Sequence, residues 1–170
     1  AGRIREVIMV AGKTPAATLG FGPEGRFRIH DANLTKDPAA MRVVLASRVP
    51  IVLAPIETSS RLQIDRGDLD RLRASGPAGR YLAGRSGVWL WFWKTFAHEK
   101  GGPLFDALAV MIAARPDLVT LEARSIKLEN GPADGRKVLF CAGFSPETKS
   151  VLMTRLTAQK AKSSNAPPDR

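Results

Sequence analysis

The 170-residue chain is 44% hydrophobic and 25% charged, with a mean hydropathy of −0.10, the composition of a folded globular protein with room for one real core. Its apolar runs, such as Val88–Trp93, fall far short of the roughly 20 residues a transmembrane helix needs. Its one cysteine, Cys141, rules out an intrachain disulfide or a cysteine-rich zinc site. The net charge of +10 raises nucleic-acid binding as a function, but Arg3, Arg26, Arg42, Arg61, Arg71, Arg85, Arg115 and Arg136 lie in different elements, without the clustering of a basic footprint.

The chain opens Ala1-Gly2-Arg3, without a methionine, and enters an apolar segment almost at once. A stretch preceding Ala1 is therefore expected. Arg5 to Val10 reads as a buried strand closing on the turn Ala11-Gly12. Residues 13–27, rich in glycine and proline, predict a long loop, which after a strand of an α/β protein often carries function. Asp37-Pro38 marks a helix start, with aspartate as N-cap and proline at the first helical position. Val49 to Pro55 follows as a short buried strand. This alternation predicts a mostly parallel sheet.

Farther on, Asp68 to Ala74 reads as a short amphipathic helix. Pro77 to Ala97 reads as a longer one, carrying Val88-Trp89-Leu90-Trp91-Phe92-Trp93. Three tryptophans so close are either a stacking platform for bases or, as favoured here, part of a helix buried on most sides. Gly101-Gly102-Pro103 breaks the chain before an apolar helix from Leu104 to Ala114. Two strand-like segments, Val119–Leu128 and Lys137–Cys141, flank a turn at Asn130-Gly131-Pro132. Ser145-Pro146-Glu147 starts a last amphipathic helix. The first 158 residues are expected to form one domain, and 159–170 a disordered basic and polar tail.

No phosphate loop, zinc helix or nucleophile elbow is present, and His30 and His98 stand alone. What remains is polar residues at element ends: Asp31 and Asn33 between loop and helix, and Asp106 after a Gly-Gly-Pro break. From the residues alone, Asp31 and Asn33 could equally be turn formers, and Asp106 a first-turn residue favoured by the helix dipole.

Four segments together resemble the inosine–uridine-preferring nucleoside hydrolases. Glu6-Val7-Ile8-Met9-Val10-Ala11-Gly12 is similar to the family's strand ending in Met-Gly-Gly. Asp31-Ala32-Asn33-Leu34-Thr35-Lys36-Asp37-Pro38-Ala39-Ala40 is similar to its Glu-Phe-Asn motif with the following Asp-Pro-Glu-Ala-Ala. Val49 to Pro55 resembles the next strand. Gly102-Pro103-Leu104-Phe105-Asp106-Ala107-Leu108-Ala109-Val110 resembles its Gly-Pro-Leu-His-Asp-Ala-Leu-Ala-Val segment, with Arg115-Pro116-Asp117-Leu118 as the usual continuation. The match runs from Arg3 to about Leu156.

The resemblance implies an α/β fold, the C-terminal part of a mainly parallel, Rossmann-like sheet flanked by helices. It implies hydrolysis of the N-glycosidic bond of a ribonucleoside to base and ribose, through an oxocarbenium-like transition state. It implies a calcium ion held by hard oxygen ligands. Asp106 is then the calcium-ligating aspartate that also contacts ribose, Asn33 and Asp31 bind ribose, and Met9 lines the sugar pocket. The partners implied are a small-molecule nucleoside and, in the full-length protein, further copies of itself, with no membrane and no nucleic acid; the cytoplasm is the expected compartment. The alternative is a family member that binds a ribosyl ligand or a partner without turnover.

The departures from the family pattern are specific. Its Asp-rich motif, which carries the catalytic base and most calcium ligands, is absent from these 170 residues, so the chain alone is expected to be inactive. Gly25 stands where an asparagine precedes the Glu-Phe-Asn motif. Asp31 is one methylene shorter than the glutamate. Phe105 replaces the histidine that protonates the leaving base in many members, with His98, just upstream, as the candidate substitute.

Overall fold

A computed structural model describes residues 3–17, 20–21, 27–28, 31–127 and 135–158. The expectations for Gly25, His30, the turn at 130–132 and the tail lie outside these residues. The described residues divide into two compact units, one spanning 1–62 with 104–145, the other 63–103 with 146–170.

The first unit holds the sheet. Strand β1 (Val7–Val10) is followed by a two-residue antiparallel pair, β2 (Gly20–Phe21) with β3 (Phe27–Arg28), inside the segment expected to be plain loop. Helix α1 (Ala32–Lys36) was not anticipated. It is capped by Asp31, and Asp37 then caps α2 (Pro38–Ala46) as expected, its Oδ1 accepting the Ala40 amide at 2.8 Å. Strand β4 (Ile51–Ala54) is buried at every position, as a central parallel strand of β-branched and aliphatic residues should be. Short helix α3 (Ile56–Ser59) comes next.

The second unit begins with β5 (Gln63–Ile64), α4 (Arg66–Ala74), α5 (Pro77–Thr95) and β6 (Gly102–Pro103), the last paired antiparallel to β5. The chain then returns to the first unit with α6 (Phe105–Ala114), a 3₁₀ turn at Pro116–Leu118, and the strands β7 (Val119–Ser125) and β8 (Lys137–Phe144). Helix α7 (Thr148–Thr157) belongs to the second unit.

The sheet order is β1-β4-β8-β7. β1 pairs with β4 and β4 with β8 in parallel, and β7 closes the edge antiparallel to β8. On one face Ala11, Leu45, Ile51, Leu53, Val138 and Phe140 form a core, with Met9, Leu34, Met41, Val44 and Ile126 packed against it. Helix α6 packs on β1 and buries Leu108, Met111 and Ile112. The end of α2 is tied to the sheet by one side chain. The Arg136 guanidinium donates to the carbonyls of Val44, Leu45, Ser47 and Val49, at the end of the helix where backbone carbonyls run short of intrahelical partners.

Two expectations in the second unit need correction. Helix α4 starts at Arg66, not Asp68, because Asp65 is its N-cap and Asp68 the reciprocal partner of a capping box. Helix α5 is not buried on most sides. Gly79, Ala83, Leu90 and Trp93 are buried, while Tyr81, Val88, Trp91 and Phe92 face solvent. The aromatic run Trp89–Trp93 is too short a stretch to reveal which side faces the core, since consecutive residues on a helix spread over every side.

Asp68 is fully buried and is satisfied on all sides. Its Oδ2 accepts the Asp65 amide at 2.8 Å and the Lys149 ammonium at 2.6 Å, and its Oδ1 accepts from Arg71. Lys149 also reaches Asp65 at 3.1 Å. The Asp68 backbone amide, then the Lys149 hydrogen bond, hold the Asp65 carboxyl below its ordinary value. Partial burial pulls the Lys149 ammonium down, but its hydrogen bonds to Asp68 and Asp65 outweigh that and carry it above its ordinary value.

A raised lysine stabilises fully below its unfolded value of 10.5 and loses this as pH climbs through the folded value. A depressed aspartate stabilises above 3.8 and loses this as pH falls through its folded value. Lys149→Met is expected to cost about 2 kcal/mol near neutrality, less than the 3–5 of a wholly buried pair, because Arg71 and the Asp65 amide still bond Asp68. The wild-type advantage in thermal midpoint should be flat between those limits and shrink beyond both. A difference independent of pH would show that the loss is one of packing.

Candidate functional site

Open α/β sheets place ligands at the carboxyl ends of their parallel strands. Here that rim is where β1 and β4 end side by side, Ala11 donating to the Ala54 carbonyl at 3.2 Å and Ile56 to the Gly12 carbonyl at 3.2 Å. Gly12 takes φ +84°, a left-handed conformation that side chains rarely adopt, and so turns the chain sharply off the sheet.

Asp31 and Asn33 arrive at this rim by direct bonds. Asp31 Oδ2 accepts the Gly12 amide, while Oδ1 accepts the amides of Asn33 at 3.0 Å and Leu34 at 3.1 Å. The same carboxylate therefore caps α1 and clasps the turn after β1. The exposed Asn33 donates from Nδ2 to the Val10 carbonyl at 2.8 Å. That bond fixes the amide's orientation and uses one of its two N–H donors, leaving its oxygen and the second N–H able to meet a ligand hydroxyl.

Sequence reasoning missed a third contributor. Glu57, in the first turn of α3, accepts the Thr14 amide on Oε1 at 2.7 Å. Its other oxygen is buried without a hydrogen-bond partner, which costs roughly 1–3 kcal/mol and calls for an explanation in a native protein. Asp31 and Glu57 thus hold the turn from two sides, at Gly12 and at Thr14. A carboxylate three residues past the end of a buried parallel strand was a legible signal for this rim.

The other expected residues stand differently. Asp106 is exposed in the first turn of α6, the helix packed on β1, and has no hydrogen-bond or ion-pair partner among the described residues. The structure ties it to β1 only through its helix, with no side-chain bond to Asp31 or Asn33. Met9 is half-buried and packs against the sheet's core. Phe105 opens α6 and is half-buried. His98 belongs to the second unit, exposed just after α5 with φ +53°. Among the described residues no group of three or more His, Cys, Asp or Glu side chains could hold a metal ion.

The sequence profile of the inosine-uridine preferring nucleoside hydrolases matches residues 1–165. The pyrimidine-specific ribonucleoside hydrolase RihB of Escherichia coli O1:K1 is 29% identical over 142 residues, which is 80% of this chain and 42% of that enzyme. Among solved structures, a purine-preferring ribonucleoside hydrolase from Gardnerella vaginalis superimposes with a TM-score of 0.68 at 21% identity, over 92% of this chain and 51% of that one. The plant nucleoside hydrolase PpNRh1 gives the same TM-score at 20% identity, over 75% and 48%. The chain thus spans about half of the length of these relatives, or less.

Proposed function

Because the chain belongs to the inosine-uridine preferring nucleoside hydrolase family, we propose that it supplies the ribose-binding side of an enzyme that cleaves ribonucleosides to free base and ribose. The observation that carries this reading is the Asp31–Asn33 pair bonded to Gly12 and Val10 at the end of β1. In the reaction water adds to the anomeric carbon while the bond to the base nitrogen breaks, the base leaving with the electron pair and taking up a proton. Asn33 offers its amide oxygen to a ribose hydroxyl. Asp31 belongs to the same sugar site and sets where Asn33 stands. Asp106 turns a bare carboxylate toward the positive charge that develops on the ribosyl ring, and Met9 forms an apolar floor. A nucleoside is the substrate, the cytoplasm the compartment, and the working form a homo-oligomer.

The donor set does not fit a calcium ion by itself. Calcium takes six to eight oxygens, and among the described residues Asp106 is the one carboxylate of the expected set with its oxygens uncommitted. Asp106 would be a ligand to it; no chemical step is assigned to the metal from these residues. Calorimetry on the 170-residue chain is expected to show calcium binding no tighter than about millimolar, and micromolar binding would reveal a self-contained site. The function itself is tested by titrating uridine and inosine into the labelled chain. The side-chain amide of Asn33 and the backbone amide of Gly12 should shift with either nucleoside and with ribose alone. Shifts confined to the arginines, or none near β1, would remove the ribose-binding reading.

A further inference from the structure

Glu57 is a rim carboxylate to which the ribose reading gives no part, yet the bonds around it lead straight to Asn33. From Val10 to Thr14 the chain is tied alternately to its two flanks. On the α1 side, the Val10 carbonyl accepts from the Asn33 side chain at 2.8 Å and the Gly12 amide donates to Asp31. On the β4–α3 side, the Ala11 amide donates to the Ala54 carbonyl and the Gly12 carbonyl accepts from the Ile56 amide, both at 3.2 Å. The Thr14 amide then donates to Glu57 Oε1 at 2.7 Å. Of these five bonds the β4–α3 side supplies two through its backbone and one through a side chain, Glu57.

Gly12 sits where the two flanks meet. Its amide is tied to one and its carbonyl to the other, and at φ +84° it has no side chain to brace it. Its place therefore depends on how the residues after it are held, and Glu57 is the side chain bonded there. Thr14 also opens the next turn, its carbonyl accepting from the Ala17 amide at 3.0 Å. The bond from Glu57 thus fixes the point at which the chain leaves the rim.

The second oxygen of Glu57 argues that this residue is kept for more than stability. Oε2 is buried with no hydrogen-bond partner, and a carboxylate oxygen in that state costs the fold free energy that an apolar side chain of similar length would not. Retention of a group against its cost to stability is a mark of sites shaped for binding.

We propose that Glu57 is a positioning residue of the ribose site. Through Thr14 it holds the Gly12 turn in the place where Asp31 and Asn33 find their bonds, and so sets the orientation of the Asn33 amide without touching the sugar. This rests on the ribose reading of Asp31 and Asn33. Groups that bind a ligand keep their geometry only as well as the bonds behind them are held.

The test uses the 170-residue chain with Glu57→Met and Glu57→Gln, glutamine keeping an acceptor oxygen for Thr14. Without ligand, hydrogen exchange reads the hold on the turn directly. In Glu57→Met the Gly12 amide and the Asn33 side-chain amide should exchange roughly tenfold faster, about what the loss of one hydrogen bond allows. The thermal midpoint should stay level or rise. In Glu57→Gln both amides should keep their wild-type rates. With ribose titrated in, Glu57→Met should raise the dissociation constant read from the Asn33 signals by a similar factor, and Glu57→Gln should restore it.

A lower thermal midpoint with exchange at Gly12 and Asn33 unchanged would overturn the proposal, because Glu57 would then serve the fold alone. So would a Glu57→Gln chain that protects both amides yet loses ribose, since Oε2 would then be touching the sugar. A wild-type Asn33 that ignores ribose would sink the reading of the site, while the exchange rates still decide whether Glu57 sets the place of Asn33.

Discussion

In the proposed enzyme restored to full length, nucleoside turnover is expected to fall roughly 10²–10³-fold when Asp106 becomes asparagine, the loss typical of removing one electrostatic contact aimed at transition-state charge. Asparagine keeps the size of the side chain and one acceptor oxygen. Asp106 is exposed and has no partner among the described residues, so the fold loses no contact it depends on. What changes is the net charge presented to a ribosyl ring that turns cationic as the glycosidic bond lengthens. The thermal midpoint should therefore scarcely move while the rate collapses. A residue serving only the dipole of α6 would behave in the opposite way, with about 0.3–1 kcal/mol lost from stability and turnover intact. Steady-state rates and melting curves on the same protein separate the two, and near-normal turnover would remove Asp106 from the site.

In the same full-length enzyme, Phe105→His is expected to raise inosine turnover by up to the 10²–10⁴-fold that a positioned general acid contributes. Phe105 begins α6, one residue before Asp106, and a phenyl ring has no proton to give. Inosine expels a poor leaving group that needs protonation at nitrogen, so an imidazole at this position addresses its slow step. A p-nitrophenyl riboside leaves as a stable anion and should gain little. The comparison of the two substrates is the measurement, because a general improvement in folding or binding would lift both rates together. An unchanged inosine rate would mean that the proton comes from another group, with His98 the first to replace.

Much of the fold was legible because its signals are local. Asp37-Pro38 carries both an N-cap side chain and a preset backbone angle, and α2 begins there. The run Ile51–Ala54 is apolar at every position, which only a strand covered on both faces sustains. The start of α4 was misplaced because a capping box has two carboxylates three residues apart, and the sequence does not say which one stands outside the helix. The orientation of α5 was hidden for a different reason: its outward face is as apolar as its inward one, so periodicity had no contrast to report. At the candidate site, Asp31 and Asn33 are singled out by their motif. Their bonds to Gly12 and Val10 join positions about twenty residues apart, a pairing that no short-range pattern encodes. The place of Glu57 just past β4 was legible in the sequence and marks the rim, but the burial of its second oxygen is a fact of packing that no local pattern carries.

The strand order has a consequence for how the chain comes off the ribosome. β4 is the most thoroughly buried strand, yet one of its two neighbours, β8, begins only at Lys137. At 5–20 residues per second, translation leaves that edge of Ile51–Ala54 without its partner for on the order of 4–17 s after Ala54 is made. During this interval an apolar strand presents open backbone donors and acceptors, the arrangement most prone to recruit a foreign strand. The intervening helices α4 and α5, built from local contacts, can form in that window, but the sheet cannot close until β8 inserts between β4 and β7. Connectivity thus leaves an aggregation-sensitive interval in making this protein, which ends when one late strand takes its place in the middle of the sheet.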